Sequence, residues 1–192
     1  MDSTEDRILN ATIKILDKEG WEGATTKRIA SEARVNEVTL FRKFKTKQLL
    51  LEAAKNRCAN HFLKELELLL EIDDKIDIRT NMENIWKNSS KMIDKRTNLI
   101  RISMEEVRGV PFEDRVLPKI SKIVLDNLSN YFKNQISKGV MRNIDPDVAA
   151  LNIFSIVFQM NVMWKIYGQN PPVEDERCME NFLDIFMKGI LI

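Results

Sequence analysis

Residues 26–47 read T-K-R-I-A-S-E-A-R-V-N-E-V-T-L-F-R-K-F-K-T-K. Ile29, Ala30 and Ala33 fall on one face of a short helix. After a tight turn Val35 leads into a second, on which Leu40, Phe41 and Phe44 recur at helical spacing. Ala30 is small where two helices would have to cross closely. Thr26 is the expected N-cap of the first helix and Asn36 of the second, since each offers a side-chain oxygen to the free amides of a first turn. The outward positions of the second helix are then Glu37, Val38, Thr39, Arg42 and Lys43. This is the layout of a helix-turn-helix, whose second helix enters a DNA major groove.

Charge follows the same layout. Residues 25–47 hold seven bases (Lys27, Arg28, Arg34, Arg42, Lys43, Lys45 and Lys47) and two acids, Glu32 and Glu37. Seven cations less two carboxylates leave a local +5 in a chain whose formal net charge is +1. A concentrated patch attracts phosphate even on a near-neutral chain. Thr26, Thr39 and Lys47 are candidates for phosphate contacts, and Asn36, Glu37, Val38, Arg42 and Lys43 for the groove. Arg42 or Lys43 would read guanine, Glu37 would accept from cytosine, and Val38 would touch a thymine methyl. The bland competitor for this segment is a solvated helical hairpin.

The stretches R-I-L-N-A-T-I-K-I-L (7–16), E-G-W (19–21), A-T-T-K-R-I-A (24–30) and V-T-L-F-R-K-F-K-T-K-Q-L-L (38–50) are ordered and spaced so that residues 3–47 resemble the N-terminal DNA-binding domain of the TetR family of transcriptional regulators. The resemblance implies a DNA role for Lys27, Arg28 and Phe41 beside those above, and a backbone contact for Lys47. It also has departures. Arg34 stands where the family usually has a Gly in the turn, a position that commonly takes a positive φ and so costs any residue with a Cβ. Asn36 stands where Ser is common. Phe41 replaces a frequent Tyr and lacks its hydroxyl, and Lys43 replaces an aromatic or His.

Around this segment the chain reads as all-α. Its 192 residues include only six Gly and five Pro, and no alternating strand pattern. The spacing predicts a first helix over 4–19, with Ser3 and Asp6 as a capping box, Ile8, Ala11, Thr12, Ile15 and Leu16 as its inner stripe, and Gly20 as its stop. Trp21 should pack under the reading head. Thr46 caps a long helix to about residue 71. A polar loop follows over 72–80, then helices near 79–93, 97–108, 114–138, 146–167 and 174–190. Pro118 should mark the start of its helix or kink it, Gly139 should end it, and Asp145-Pro146 should open the next. The predicted division is a DNA-binding domain over 1–47 and a helical ligand-binding and dimerisation domain over 48–192.

Helix 146–167 is apolar nearly all round, and the last helix carries Met179, Phe182, Leu183, Ile185, Phe186, Ile190 and Leu191. An apolar helix without a polar face needs cover on several sides. One side would meet the protein's own core and another a second copy, and the resemblance likewise implies a homodimer formed through the last two helices. A dimer would read an inverted repeat in double-stranded DNA. Nine Met and three Trp supply pliable bulk. The resemblance then implies an effector site, for which Met82, Trp86, Met104, Phe112, Phe158, Gln159, Met163 and Trp164 are candidate contacts to a small hydrophobic or amphipathic molecule, against the ordinary alternative that such residues are core. Asn152, Gln159 and Asn161 are amides on the same apolar helix, and buried amides need partners.

The remaining composition narrows the function. There is no Ser-His-Asp set, glycine-rich phosphate loop or metal-ligand cluster. Cys58 and Cys178 are far apart with no CxxC, and His61 is the single histidine. That composition speaks against an enzyme, and the resemblance implies a ligand-responsive repressor needing no cofactor. No apolar run approaches the ~20 residues of a membrane span, and the acidic N-terminus lacks a signal-peptide core, which leads to the expectation of a cytoplasmic protein with no membrane partner. The competing classes are a helical adaptor without DNA binding, a helical enzyme, and a membrane-surface protein using the basic segment.

Overall fold

The computed structural model describes residues 3–69, 72–95, 97, 100, 115–168 and 171–192. These residues form eight helices and no strand beyond an isolated bridge between Met141 and Leu191. The chain divides into two compact units, residues 1–64 with 98–107 and residues 65–97 with 108–192.

In the first unit, α1 spans Thr4–Gly23. The Ser3 hydroxyl accepts from the Asp6 amide and the Asp6 carboxylate accepts from the Ser3 amide, both at 3.1 Å, which completes the expected capping box. Gly20 interrupts the helix with φ 67°, ψ −162°, after which a last turn resumes to Gly23. The predicted inner stripe is fully used, since Ile8, Ala11, Thr12, Ile15 and Leu16 are all buried. Thr12 sits there without penalty because its hydroxyl donates to the Ile8 carbonyl at 2.8 Å. Helices α2 (Thr26–Glu32) and α3 (Glu37–Phe44) follow, then α4 (Lys47–Leu69), whose Leu49 amide donates to Thr46 Oγ1 at 3.1 Å. Leu50, Leu51 and Ala54 of α4 belong to the same core as Ile29, Ala30, Leu40 and Phe44, so the head is closed by the first turns of the long helix.

The second unit is built from α5 (Ile78–Asp94), α6 (Val116–Ser137), α7 (Pro146–Tyr167) and α8 (Asp175–Ile190). Asp77 caps α5, accepting from the Thr80 amide at 2.9 Å and the Thr80 hydroxyl at 2.6 Å; these bonds hold its carboxyl below the ordinary range. Pro118 lies in the first turn of α6, where a missing N–H costs nothing, so it marks a start and not a kink. Gly139 ends the α6 region with φ 72°. Asp145 caps α7 through the amides of Asp147 and Val148, with Pro146 in the first turn. Helix α7 packs on α5 and α6, and α5 packs on α8. Aromatic rings link these helices: Tyr131 to Phe132 (5.6 Å), Phe132 to Phe186 (6.1 Å), Phe186 stacked on Phe182 (5.6 Å), and Phe182 to Trp86 (6.3 Å).

Helix α7 is not uniform. Pro146–Phe158 is α-helical, Gln159–Met163 is a π-helical turn closed by the Trp164 amide on the Gln159 carbonyl, and Trp164–Tyr167 returns to α. The expectation that no segment approaches a membrane span needs correcting. With 22 residues and a mean hydropathy of 1.3, α7 is long and apolar enough, although only 28% of its apolar window is buried. Its inner side is Ala149, Ala150, Ile153, Met160, Asn161 and Ile166, while Val148 and Leu151 are exposed and Phe154, Ile156 and Val157 half-buried. The second apolar face anticipated from sequence is therefore present and only partly covered among the described residues.

Candidate nucleic-acid interface

The head is organised by its two caps. Asn36 Oδ1 accepts from the Thr39 amide at 2.7 Å, as expected. The cap of α2 differs from expectation. It is Thr25, whose hydroxyl accepts from the Arg28 amide at 3.3 Å, while Thr26 is the first helical residue. Released from capping, Thr26 turns its hydroxyl across the turn and donates to Glu37 Oε2 at 2.7 Å. The turn itself contains Arg34 at φ 56°, the positive value that the resemblance implied, with the Arg34 amide on the Ser31 carbonyl (3.1 Å) and the Val35 amide on Ala30 (2.9 Å).

Helix α3 buries Leu40 and Phe44 and shows its other side to solvent. Val38 is 76% exposed and Phe41 40%, so Phe41 lies on the outer surface despite its place in the apolar repeat. Arg42 and Lys43 are exposed beside them, and Thr39 is half-buried. Lys43 stands 3.8 Å from Glu5, an exposed pair worth little to stability. Lys27, Arg28 and Lys47 are exposed, with Arg28 held by an ion pair to Glu19. Glu37, which the sequence offers to cytosine, is half-buried, and one of its oxygens accepts from Thr26. Lys45 belongs with these residues although the repeat does not single it out. It is exposed just past α3, at φ 59°, between Lys43 and Lys47. Only the charge run hints at it. Arg7, Asn10, Lys14, Glu32 and Arg34 line a cleft of about 330 Å³, in which the Lys14 ammonium holds the Glu32 carboxyl below the usual carboxylate range.

This geometry agrees with what the chain resembles. Residues 8–54 match the model of the bacterial regulatory proteins of the tetR family. The uncharacterized HTH-type transcriptional regulator YvkB of Bacillus subtilis (strain 168) is 28% identical over 193 residues, covering 99% of this chain and 98% of YvkB. Residues 8–54 are a TetR-family helix-turn-helix domain. The chain is a helix-turn-helix transcriptional regulator similar to those of the TetR family, with an N-terminal helix-turn-helix followed by a helical body. The TetR-family fold extends over the whole chain in solved structures. SmeT, the repressor of the Stenotrophomonas maltophilia multidrug efflux pump SmeDEF, superposes with a TM-score of 0.65 at 18% identity, over 100% of this chain and 92% of SmeT. FadR of Bacillus subtilis, in complex with stearoyl-CoA, gives 0.60 at 19% identity, over 95% and 97%.

The described residues expected to meet an effector lie on α5 and α7 of the second unit, at different depths. Met82 and Trp86 are deep in the core, and the Trp86 indole N–H donates to Asp175 at 3.0 Å. Phe158, Met163 and Trp164 are half-buried on α7. Met104 and Phe112 lie outside the described residues. Two of the three amides are not buried: Gln159 and Asn152 are exposed, and Asn152 donates to the Val148 carbonyl at 2.9 Å. Asn161 is the buried one. Among the described residues, no group of three His, Cys, Asp or Glu side chains gathers as metal ligands.

Proposed function

We propose that this protein is a ligand-responsive, sequence-specific repressor that binds an inverted repeat in double-stranded DNA as a homodimer and leaves it when an apolar or amphipathic small molecule binds the second unit. The observation that carries the DNA half is α3. It is a capped helix whose solvent face collects Val38, Phe41, Arg42 and Lys43, flanked by Lys27, Arg28, Lys45 and Lys47. Such a face supplies phosphate attraction along its edges and a few base contacts along its centre.

The dimer is supported by the uncovered apolar side chains of α7 and α8, with Leu151 50% and Ile185 72% exposed. Apolar surface of that kind calls for a partner, and a second copy supplies the second reading head of an inverted repeat. This assigns the apolar length of α7 to a protein interface in the cytoplasm, where the DNA is, rather than to lipid. The effector is supported by the complex of FadR with stearoyl-CoA and by the role of SmeT as a repressor. On this reading the first unit reads DNA, the second binds effector and partner, and the protein works by binding and not by catalysis.

Selection of bound sequences from a random double-stranded library, repeated over a salt series, tests the proposal. An enriched inverted repeat is expected. Salt-sensitive retention without enrichment would reduce the head to a basic patch.

A further inference from the structure

Asn161 has no exposed surface, and neither its amide nitrogen nor its amide oxygen has a hydrogen-bond partner among the described residues. A buried amide left unpaired is unusual and costly. It lies in the π-helical turn Gln159–Met163, which packs on α5 as the α-helical part of α7 before it also does. Single π-turns inside α-helices recur at functional sites. Because Asn161 is already enclosed by its own chain, a second copy docking on the outer face of α7 does not reach it. Whatever satisfies it must enter the interior of the second unit. The interior offers compliance for that, with Met82, Met92 and Met160 among its buried residues.

We infer that Asn161 is the polar anchor of the effector site, and that it takes a neutral carboxamide carried on an apolar body. This rests on the effector reading above and gives it a chemistry. The Asn161 side chain presents an N–H donor and a carbonyl acceptor side by side. A ligand amide returns an acceptor and a donor in the same arrangement and satisfies both atoms. A ketone satisfies only the donor. A carboxylate also leaves the acceptor unmatched and brings a charge. The nearby cation of α7 does not meet that charge, since the Lys165 ammonium is engaged by Asp94 at 2.9 Å and Ser90 at 2.5 Å. Discrimination of this type, in which a wrong ligand leaves a buried polar atom unpaired, is stronger than discrimination by apolar fit.

The test uses the full chain, the Asn161→Leu variant and three probes of similar length: octanamide, octanoate and 2-nonanone. Without probe, Asn161→Leu should melt about 2–4 °C above wild type, because it removes an unpaired buried group. By tryptophan fluorescence, octanamide should bind wild type about tenfold more tightly than either other probe, and the variant should lose that preference. Asn161→Met serves the same purpose if the leucine variant does not fold. A variant melting below wild type would show that the protein itself satisfies Asn161 and would overturn the inference. So would undiminished octanamide affinity in the variant. Equal wild-type affinity for all three probes would overturn the amide assignment and leave the effector reading standing. No binding of any probe by wild type would overturn the effector reading and the inference with it.

Discussion

The Thr26 hydroxyl donates to Glu37 Oε2 at 2.7 Å and ties the first residue of α2 to the first residue of α3. The bond spans the turn that sets the angle of the reading helix. We propose that Glu37 acts through position rather than on a base. Thr26→Val and Glu37→Ala should each weaken binding to the selected operator by a similar amount. The double variant should be no worse than either single one, a coupling of about 0.5–1.5 kcal/mol in a double-mutant cycle. If Glu37→Ala changes base preference at one operator position while Thr26→Val leaves it intact, Glu37 is a base reader after all.

Lys47 is exposed at the start of α4, beside that helix's free amides. A cation there meets phosphate and not a base. Lys47→Ala should weaken binding to every sequence alike and lower the slope of log affinity against log salt by ~1. An unchanged slope with altered selectivity would remove it from the phosphate contacts.

Arg34 adopts φ 56° in the turn between α2 and α3. A side chain at positive φ costs about 1–2 kcal/mol, part of which a glycine gives back as unfolded-chain entropy. Arg34→Gly should therefore raise unfolding free energy by about 0.5–1 kcal/mol in urea, and Arg34→Ala should not. Equal stability of the two variants would show that the turn is unstrained.

Much of this head is legible in residues 3–47 because capping and burial are local. Ser3 with Asp6, Asn36, and the stripe from Ile8 to Leu16 each follow from spacing alone. What escaped is phase. Thr25 and Thr26 are chemically identical neighbours, and only the path of the chain decides that the first caps while the second reaches Glu37. In α7 the three amides look equivalent in an apolar run. Helical spacing nevertheless separates them: Asn152 and Gln159 are seven residues apart and face out together, while Asn161, two residues on, within the π-turn, faces in. No repeat in the sequence announces that turn. Trp86 was legible as a large apolar residue, but its bond to Asp175 depends on residues far away in the chain.

Asp6 joins the capping box to α4 through the Arg57 guanidinium at 2.5 Å. The Arg57 bond first, and the Ser3 bonds next, hold its carboxyl at about 2 against an ordinary 3.8. A carboxyl whose folded pKa is depressed contributes stability above its unfolded pKa and loses it as pH falls toward the folded value. Wild type should exceed Asp6→Asn in stability by a constant margin above about pH 4, and the margin should close between pH 4 and pH 2. Denaturant melts across that range measure it; a margin independent of pH would mean the ion pair contributes nothing.

Ile185 on α8 is the most direct probe of the dimer. It is 72% exposed in a single chain, on a helix whose opposite side carries the core residues Leu183, Phe186 and Ile190. A glutamate there costs the isolated chain little, because the position is already in water. In a dimer formed by α7 and α8 the same glutamate is buried without a cation, at several kcal/mol. Ile185→Glu should keep wild-type helicity yet weaken self-association at least about 100-fold in sedimentation equilibrium. It should also lose the rise of Tm with protein concentration that an oligomer shows. Operator affinity should fall with it, because a monomer presents one reading head to a two-part site. Undiminished self-association would move the interface off α8 and leave the exposed side chains of α7, Val148 and Leu151, to account for it.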